Sequence, residues 1–167
     1  ASCARPRASS VAARIQAIAA LGLARGDTIG FLLANRPAFN LTDTAAMHLG
    51  ATCWSIYATS APEQMEQMLR NAGSRIVVTE RALLERLLAV RGRVPCLEHI
   101  VLVDGPSAAG LISMDELERR GAPEFDFEAA WRAVLVLMGR ILTQVILQCK
   151  KWDQPSQWTK RVLLAAI

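Results

Sequence analysis

Hydrophobic positions follow two different spacings along the first 121 residues. In 11–19 they recur every three to four residues, as in an amphipathic helix, whereas 28–34 is a short apolar run typical of a strand buried on both faces. The two patterns alternate, and glycine or proline stands at many of the changes. The alternation predicts helices at 11–21, 37–49, 61–72, 80–91 and 114–120, and strands at 28–34, 51–57, 75–79 and 97–103.

Strands that alternate with helices of this length predict right-handed crossover connections and parallel strand pairing. The expected fold class is α/β. It is a partial doubly wound, mainly parallel sheet with helices on both faces, followed by a divergent helical or disordered C-terminal tail. The predicted domain organisation is an N-terminal subdomain at 1–134 and the tail at 135–167.

Two serine positions have the pattern of a helix start. Ser60 with Glu63, and Ser113 with Glu116, are each spaced as a capping box, in which the two residues satisfy free N–H groups of the first turn. We therefore expect both serines to cap the helices that follow them.

The polar residues with catalytic potential are few. Asp115, Glu116 and Glu118 could suggest acid–base chemistry, but they lie near the start of a predicted helix, where a solvated cap at the positive end of the helix dipole explains them. His48 is predicted on a helix face and His99 within a strand, without further ligands at metal spacing. We expect all five to be structural.

Nucleotide-binding and hydrolase signatures are absent from the sequence. Gly22, Gly26 and Gly30 stand four residues apart, but no GK[ST] follows them, and neither GxGxxG nor GxSxG occurs. The sequence therefore predicts no catalytic, cofactor-binding or metal-binding residue in this chain.

Cysteine usage and hydropathy indicate a cytoplasmic protein. Cys3, Cys53, Cys96 and Cys149 are more than 40 residues apart, which suits reduced, mostly buried thiols. No apolar run reaches the roughly 18 residues of a membrane span. The opening ASCARPRASS lacks a following apolar segment, so we interpret it as a loose end and not as a signal peptide.

Residue usage changes abruptly near Val134. Residues 1–134 hold 14 arginines and 14 acidic residues, so the net charge of +4 falls entirely in 135–167, and all three lysines lie beyond residue 149. A neutral body without a basic stripe predicts no nucleic-acid partner. The tail predicts a helix at about 135–149, followed by a segment in which Trp152 and Trp158 stand near lysines; this segment is either unstructured or a membrane-surface anchor.

Three stretches of the body occur in a familiar order and spacing. They are GLARGDTIGFLLANRPAF (22–39), AMHLGA (46–51) and PEQMEQMLRNAGSRIVVTE (62–80). Together they resemble the N-terminal region of bacterial long-chain fatty-acid–CoA ligases, which belong to the acyl-adenylate-forming, AMP-binding superfamily. The resemblance covers about 10–134.

The resemblance implies an enzyme that uses ATP, Mg and CoA to convert a fatty acid into acyl-adenylate and then acyl-CoA. It also implies that a Ser/Thr/Gly-rich loop with a lysine should follow Val134, to hold the ATP phosphates. LVLMGRILTQVILQCKK stands there instead. We therefore expect a truncated ligase fragment whose matched residues are scaffold, which binds none of these cofactors and is inactive alone. A shifted reading frame would explain the change.

Two other functions remain open from the sequence. Half of a doubly wound sheet leaves an edge and an apolar face, so the chain could be a non-catalytic module that docks on the remaining part of a ligase. The tail could alternatively make it a peripheral membrane protein.

Overall fold

The chain divides into two compact units, Ala1–Phe127 and Glu128–Ile167. The structure, a computed structural model, describes residues 11–121 and, beyond them, residues 126, 129, 132, 135, 136, 139, 140 and 143. This division at residue 127 does not test the predicted change of character after Val134, which stays a prediction.

Helices and strands alternate through the described part of the first unit. Most strands are shorter than the apolar runs that predicted them, because the ends of those runs lie in the loops. The elements are α1 (Val11–Ala19), β1 (Thr28–Leu32), α2 (Pro37–His48), β2 (Thr52–Ser55), α3 (Pro62–Ala72), β3 (Ile76–Thr79), α4 (Arg81–Arg91), β4 (His99–Leu102), β5 (Ile112–Ser113) and α5 (Met114–Arg120).

The five strands form one parallel sheet in the order β2-β1-β3-β4-β5. After β1 the chain moves outward to β2 on one side, and after β3 it moves outward to β4 and β5 on the other. This reversal defines a doubly wound sheet, and the predicted fold class is confirmed.

Each face of the sheet carries its own hydrophobic core. On β1, Ile29 and Phe31 face α1, α2 and α5, whereas Leu32 faces α3 and α4. On β3, Val78 faces α1, α2 and α5, whereas Val77 faces α3 and α4. Successive side chains of a strand point to opposite faces, so a strand covered on both sides must be apolar throughout. This requirement explains the unbroken apolar runs in the sequence.

Two glycines are required by geometry. Gly73 ends α3 in the left-handed region at φ +61°, and its N–H donates to the Leu69 carbonyl oxygen at 3.0 Å. Gly30, in β1, has no side chain because a Cβ there would lie 3.2 Å from both the Trp54 indole and the Val77 side chain. Of the three glycines that stand four residues apart in the sequence, Gly30 is therefore required for close packing of β1.

The predicted capping boxes are wrong at both helices. The N-cap of α3 is Ala61, whose N–H donates to Gln64 Oε1 at 3.1 Å, so Ser60 and Glu63 stand one residue too early. Ser113 is the N-cap of α5 but makes no side-chain cap hydrogen bond. Its partner Glu116 instead accepts from the Ser107 hydroxyl and pairs with Arg120.

The second unit is described at seven residues, all helical: 129, 132, 135, 136, 139, 140 and 143. Five of these fall within the helix predicted at about 135–149, and the remainder of that prediction lies outside the described residues. The Thr143 hydroxyl donates to the Gly139 carbonyl oxygen at 2.8 Å, one helical turn back. Across all described residues, no helix is long and apolar enough to cross a membrane.

Candidate functional site

Doubly wound sheets bind ligands beyond the carboxyl ends of their strands, at the point where the strand order reverses. Here that point lies between β1 and β3. The loops that leave these two strands run to opposite faces, α2 to one and α4 to the other. The residues that follow β1, β3 and β4 are therefore the first candidates for a functional site.

Arg36 and Glu80 bridge the reversal point. The Arg36 guanidinium donates to Glu80 Oε2 at 2.9 Å, and the Ala34 N–H approaches the other carboxylate oxygen at 3.4 Å. The Glu80 side chain is only 10% exposed, so these hydrogen bonds offset the cost of burying its polar atoms. Together these bonds join the loop after β1 to the end of β3.

Asp104 extends this cluster to β4. One carboxylate oxygen accepts from the Arg36 guanidinium at 3.1 Å, and the other accepts from the Arg81 backbone N–H at 2.8 Å. Arg81 is the first residue of α4, and Glu80, its N-cap, makes no side-chain cap bond. Asp104 thus caps α4 from the loop that follows β4.

The carboxyl-edge cluster, defined as Arg36, Glu80 and Asp104, is internally paired. Hydrogen bonds to Glu80 and Asp104 raise the pKa of the Arg36 guanidinium, because both carboxylates favour its charged form. Each carboxylate is already held by a guanidinium or a backbone N–H. The cluster therefore fixes three loops relative to one another, and no general base in it is free to act.

Removing the Asp104 carboxylate should destabilise the chain moderately. We expect Asp104→Ala to lower the free energy of unfolding by about 1.5 kcal/mol, because α4 loses its cap and Arg36 one partner. Asp104→Asn keeps an oxygen that can accept from Arg81 N–H, so it should cost about a third as much. Urea denaturation measures both, and equal losses would show that the cap is not the cause.

A second polar network lies among the helices of one face. Arg14 of α1 is 4% exposed, and its Nε lies 2.5 Å from Glu118 Oε1 of α5. Its Nη1 donates to the Thr42 hydroxyl of α2 at 3.0 Å. Burial lowers the pKa of the Arg14 guanidinium, and Glu118 opposes this shift. The network joins three helices. Glu118 therefore belongs to a buried ion pair, and the predicted role of a solvated helix cap is wrong for this residue.

A third network lies at the amino edge of the sheet. The Trp54 indole N–H donates to the Ser74 hydroxyl oxygen at 2.7 Å, and this hydroxyl lies 2.7 Å from that of Thr28. The Thr28 hydroxyl in turn lies 2.8 Å from the Ala72 carbonyl oxygen, to which it donates. These bonds join β2, β1 and the loop before β3, and their role is structural.

The predicted candidates do not assemble into a site. The His48 ring lies 2.7 Å from the Thr44 carbonyl oxygen in the same helix, and His99 begins β4. Hydrogen bonding from Ser107, followed by the charge of Arg120, lowers the pKa of Glu116. In the described part of the chain, no three His, Cys, Asp or Glu side chains are arranged to hold a metal ion.

Cys53 and Cys96 are free thiols and are partly buried, less deeply than predicted; Cys3 and Cys149 lie outside the described residues. Burial, followed by the nearby Asp43, raises the pKa of the Cys53 thiol to about 12. Its sulfur lies 3.7 Å from the Asp43 carbonyl oxygen. A thiol in this state is a poor nucleophile.

Alkylation should reveal this protection directly. At pH 8 we expect iodoacetamide to modify Cys53 at least about a hundredfold more slowly in the folded chain than in urea, because little thiolate forms. Peptide mass spectrometry identifies the modified cysteine. Similar rates in the two states would contradict the burial of this thiol.

Sequence reasoning missed both ion-pair clusters. A signal for the carboxyl-edge cluster existed, because Glu80 and Asp104 directly follow predicted strands and Arg36 follows another by two residues. The carboxyl ends of parallel strands meet at one edge, so such residues can be expected to converge. Arg14 stands in a mostly apolar helix, which indicates a partner, but Glu118 is distant in sequence and no pattern identifies it as that partner.

A match to a family profile shows which protein family the chain belongs to. The profile of the AMP-binding enzyme family matches residues 4–147. The chain belongs to this family. The match continues past Val134, where the resemblance seen in the sequence ends, and the predicted superfamily is confirmed.

Relatives of the chain include both uncharacterised proteins and ligases. The uncharacterized protein Rv1549 of Mycobacterium tuberculosis (strain ATCC 25618 / H37Rv) is 42% identical over 92 residues, which are 55% of this chain and 51% of that protein. 4-Coumarate–CoA ligase 1 of Oryza sativa subsp. japonica is 38% identical over 69 residues, 41% of this chain and 12% of the ligase. Fatty acyl-CoA synthetase A of Dictyostelium discoideum is 32% identical over 76 residues, 46% of this chain and 11% of the synthetase.

Solved structures of CoA ligases share the fold. The anthranilate CoA ligase AuaEII aligns with a TM-score of 0.63 at 24% identity, over 66% of this chain and 21% of that ligase. The Brucella canis acyl-CoA synthetase aligns with a TM-score of 0.59 at 24% identity, over 70% of this chain and 21% of that enzyme. The chain thus spans about half the length of Rv1549 and a far smaller part of each ligase.

Proposed function

We propose that this chain is a scaffold segment of an adenylate-forming fatty-acid–CoA ligase. Such an enzyme joins a fatty acid to AMP with release of pyrophosphate, and then transfers the acyl group to the thiol of CoA with release of AMP. The observation that carries the proposal is the family match over residues 4–147, together with the similarity to acyl-CoA ligases.

The fatty-acid substrate rests on two further observations. The stretches 22–39, 46–51 and 62–80 resemble long-chain fatty-acid–CoA ligases, and one relative is named a fatty acyl-CoA synthetase. Other relatives are named for 4-coumarate and acetate. Measuring which acid the enzyme prefers therefore tests the fatty-acid assignment.

The described residues do not suit ATP or its magnesium ion. They contain no lysine, no glycine-rich phosphate loop and no cluster of metal ligands, and the carboxylates of the carboxyl-edge cluster are already paired. The proposal therefore places the binding of ATP and Mg in residues outside 11–121. The contribution of residues 11–121 is a rigid half-sheet that supports them.

The test of this proposal uses the whole ligase that contains this segment, produced from its source genome. ATP–pyrophosphate exchange is measured with palmitate, 4-coumarate, anthranilate and acetate. We expect kcat/KM for palmitate to exceed the others by at least about tenfold, since an acyl pocket discriminates by shape and burial. Preference for another acid would contradict the fatty-acid assignment, and exchange with none of them would contradict ligase activity.

Cytoplasmic location and the lack of a nucleic-acid partner stay predictions from composition. The membrane-surface alternative depends on Trp152, Trp158 and the neighbouring lysines, which lie outside the described residues. Binding of the purified chain to anionic lipid vesicles, lost on truncation after Val134, would favour that alternative.

A further inference from the structure

The loop after β4 contains a pair of residues that is prone to rearrange chemically. The sequence has one Asp–Gly pair, Asp104–Gly105, and no Asn–Gly pair. Because glycine has no side chain, its backbone nitrogen can approach the carboxyl group of a preceding aspartate closely. Both residues lie outside the helices and strands. This bond is therefore the point at which isomerisation of aspartate to isoaspartate is chemically easiest.

Contacts within the fold favour both members of this pair. Asp104 Oδ1 accepts from the Arg81 N–H at 2.8 Å and caps α4. A Cβ on residue 105 would lie 2.7 Å from Leu102 Cδ2, and Leu102 is 1% exposed, so it has little room to move. A larger residue after Asp104 would slow isomerisation, but it would disturb this packing. The labile pair therefore has a structural reason.

The carboxyl-edge cluster holds both oxygens of the reactive carboxyl group. Oδ1 is bonded to the Arg81 N–H, and Oδ2 accepts from the Arg36 guanidinium at 3.1 Å. Arg36 is held in turn by Glu80 Oε2 at 2.9 Å. Isomerisation requires one carboxyl oxygen to leave while the carboxyl carbon bonds to the Gly105 nitrogen, so at least one of these hydrogen bonds must break first. The reaction therefore depends on local opening of the cluster.

We propose that Asp104–Gly105 is a site of isoaspartate formation that the carboxyl-edge cluster suppresses in the folded chain. The Gly105 nitrogen bonds to Asp104 Cγ, and one carboxyl oxygen leaves as water with the amide proton and the carboxyl proton. Water then opens the cyclic succinimide at the Asp104 backbone carbonyl carbon, so that the chain continues through the former side chain. The reaction needs only the chain and water, and the inference is independent of the proposed function.

Isoaspartate at residue 104 removes the contacts that delayed its formation. The backbone gains one methylene, and the free carboxylate is then attached directly to Cα. We expect this shorter group to lose the bonds to the Arg81 N–H and the Arg36 guanidinium. A brief local opening would thus become a lasting loss of the α4 cap.

The experiment measures isoaspartate in the purified 167-residue chain, incubated at neutral pH either folded or in urea. After removal of urea, protein isoaspartate methyltransferase with S-adenosylmethionine quantifies the product, and separation of the isomeric peptides locates it. We expect formation at Asp104 to be at least about tenfold slower in the folded chain, since only opened molecules react. Asp104→Glu closes the corresponding larger ring far more slowly, so it should lose the signal and serves as the blank.

Variants of the folded chain test the role of the cluster. Arg36→Met removes one donor to Asp104 and should speed isomerisation at least about threefold. Arg75→Met is the matched control, because it makes the same chemical change at the ion pair with Glu98, where the two side chains are 45% and 47% exposed. Glu118→Gln controls for a general loss of stability. Both controls should leave the rate unchanged while the chain is folded.

Each outcome decides the proposal. Equal rates in the folded chain and in urea, or no isoaspartate at Asp104 in urea, would overturn it without any variant. Equal rates in Arg36→Met and Arg75→Met would show that the cluster does not suppress the reaction. The isomerised chain should unfold at a lower urea concentration, by about as much as Asp104→Ala, and an unchanged midpoint would contradict the loss of the α4 cap.

Discussion

Glu118→Gln is expected to lower the free energy of unfolding by about 3 kcal/mol. The substitution removes the charge that compensates the Arg14 guanidinium, which is 4% exposed and whose Nε lies 2.5 Å from Glu118. A buried charge that loses its partner keeps its desolvation penalty without the compensating attraction. Urea denaturation of the full chain, followed by circular dichroism, measures the change.

Glu116→Gln is the matched control, because it makes the same chemical change two residues away on α5. Glu116 pairs with Arg120, whose side chain is 69% exposed, so the expected cost is much smaller than that of Glu118→Gln. Arg14→Met combined with Glu118→Leu should recover much of the loss, since it removes both charges and keeps apolar volume. Equal effects of Glu118→Gln and Glu116→Gln would contradict the buried ion pair.

Leu87→Ala should also cost about 3 kcal/mol, for a different reason. Leu87 of α4 is fully buried against Val77 and Ile100 in the core between the sheet and the α3–α4 face. Truncation there removes apolar contacts and leaves a cavity that the packed sheet cannot close. The midpoint of urea unfolding should fall, with little change in its slope.

The adjacent leucine provides the control for this prediction. Leu88 is 41% exposed on the same helix, so Leu88→Ala should change the free energy of unfolding by less than about 0.5 kcal/mol. Helix propensity changes equally in both variants, which isolates burial as the cause. A loss at Leu88 as large as that at Leu87 would show that α4 does not pack on the sheet as described.

The alternation of helices and strands could be predicted because burial on two faces leaves a strong periodic signal. β1 and β3 are largely apolar and buried on both faces, while α3 is apolar on one side only, and each pattern identifies its element. β5 could not be found in this way. It has only two residues, Ile112 and Ser113, which are too few to show a period.

Helix starts were harder to predict than helices. Ser60 and Glu63 had the spacing of a capping box, but Pro62 occupies the first helical position and places the N-cap at Ala61. The cap of α4 comes from Asp104, after β4, so no local pattern at Glu80 contains it. Caps supplied by distant residues depend on the sheet order, which local spacing does not encode.

The carboxyl-edge cluster and the Arg14–Glu118 pair also join residues that are distant in sequence, but the cluster was the easier of the two to predict. Arg36, Glu80 and Asp104 could have been grouped once the strands were predicted, because parallel strands bring their ends together. Arg14 and Glu118 meet through helix packing, and their pairing depends on the relative positions of α1 and α5. A charged residue in a mostly apolar helix indicates that a partner exists, but it does not identify which residue the partner is.

The most direct test of the scaffold assignment is palmitate-dependent ATP–pyrophosphate exchange, measured on the purified 167-residue chain alone and again after addition of the remaining part of the ligase. We expect no exchange above buffer from the chain alone, because its described residues hold no site suited to ATP and magnesium, and measurable exchange from the pair. Exchange catalysed by the chain alone would contradict the account, since it would place the chemistry of adenylation within these residues.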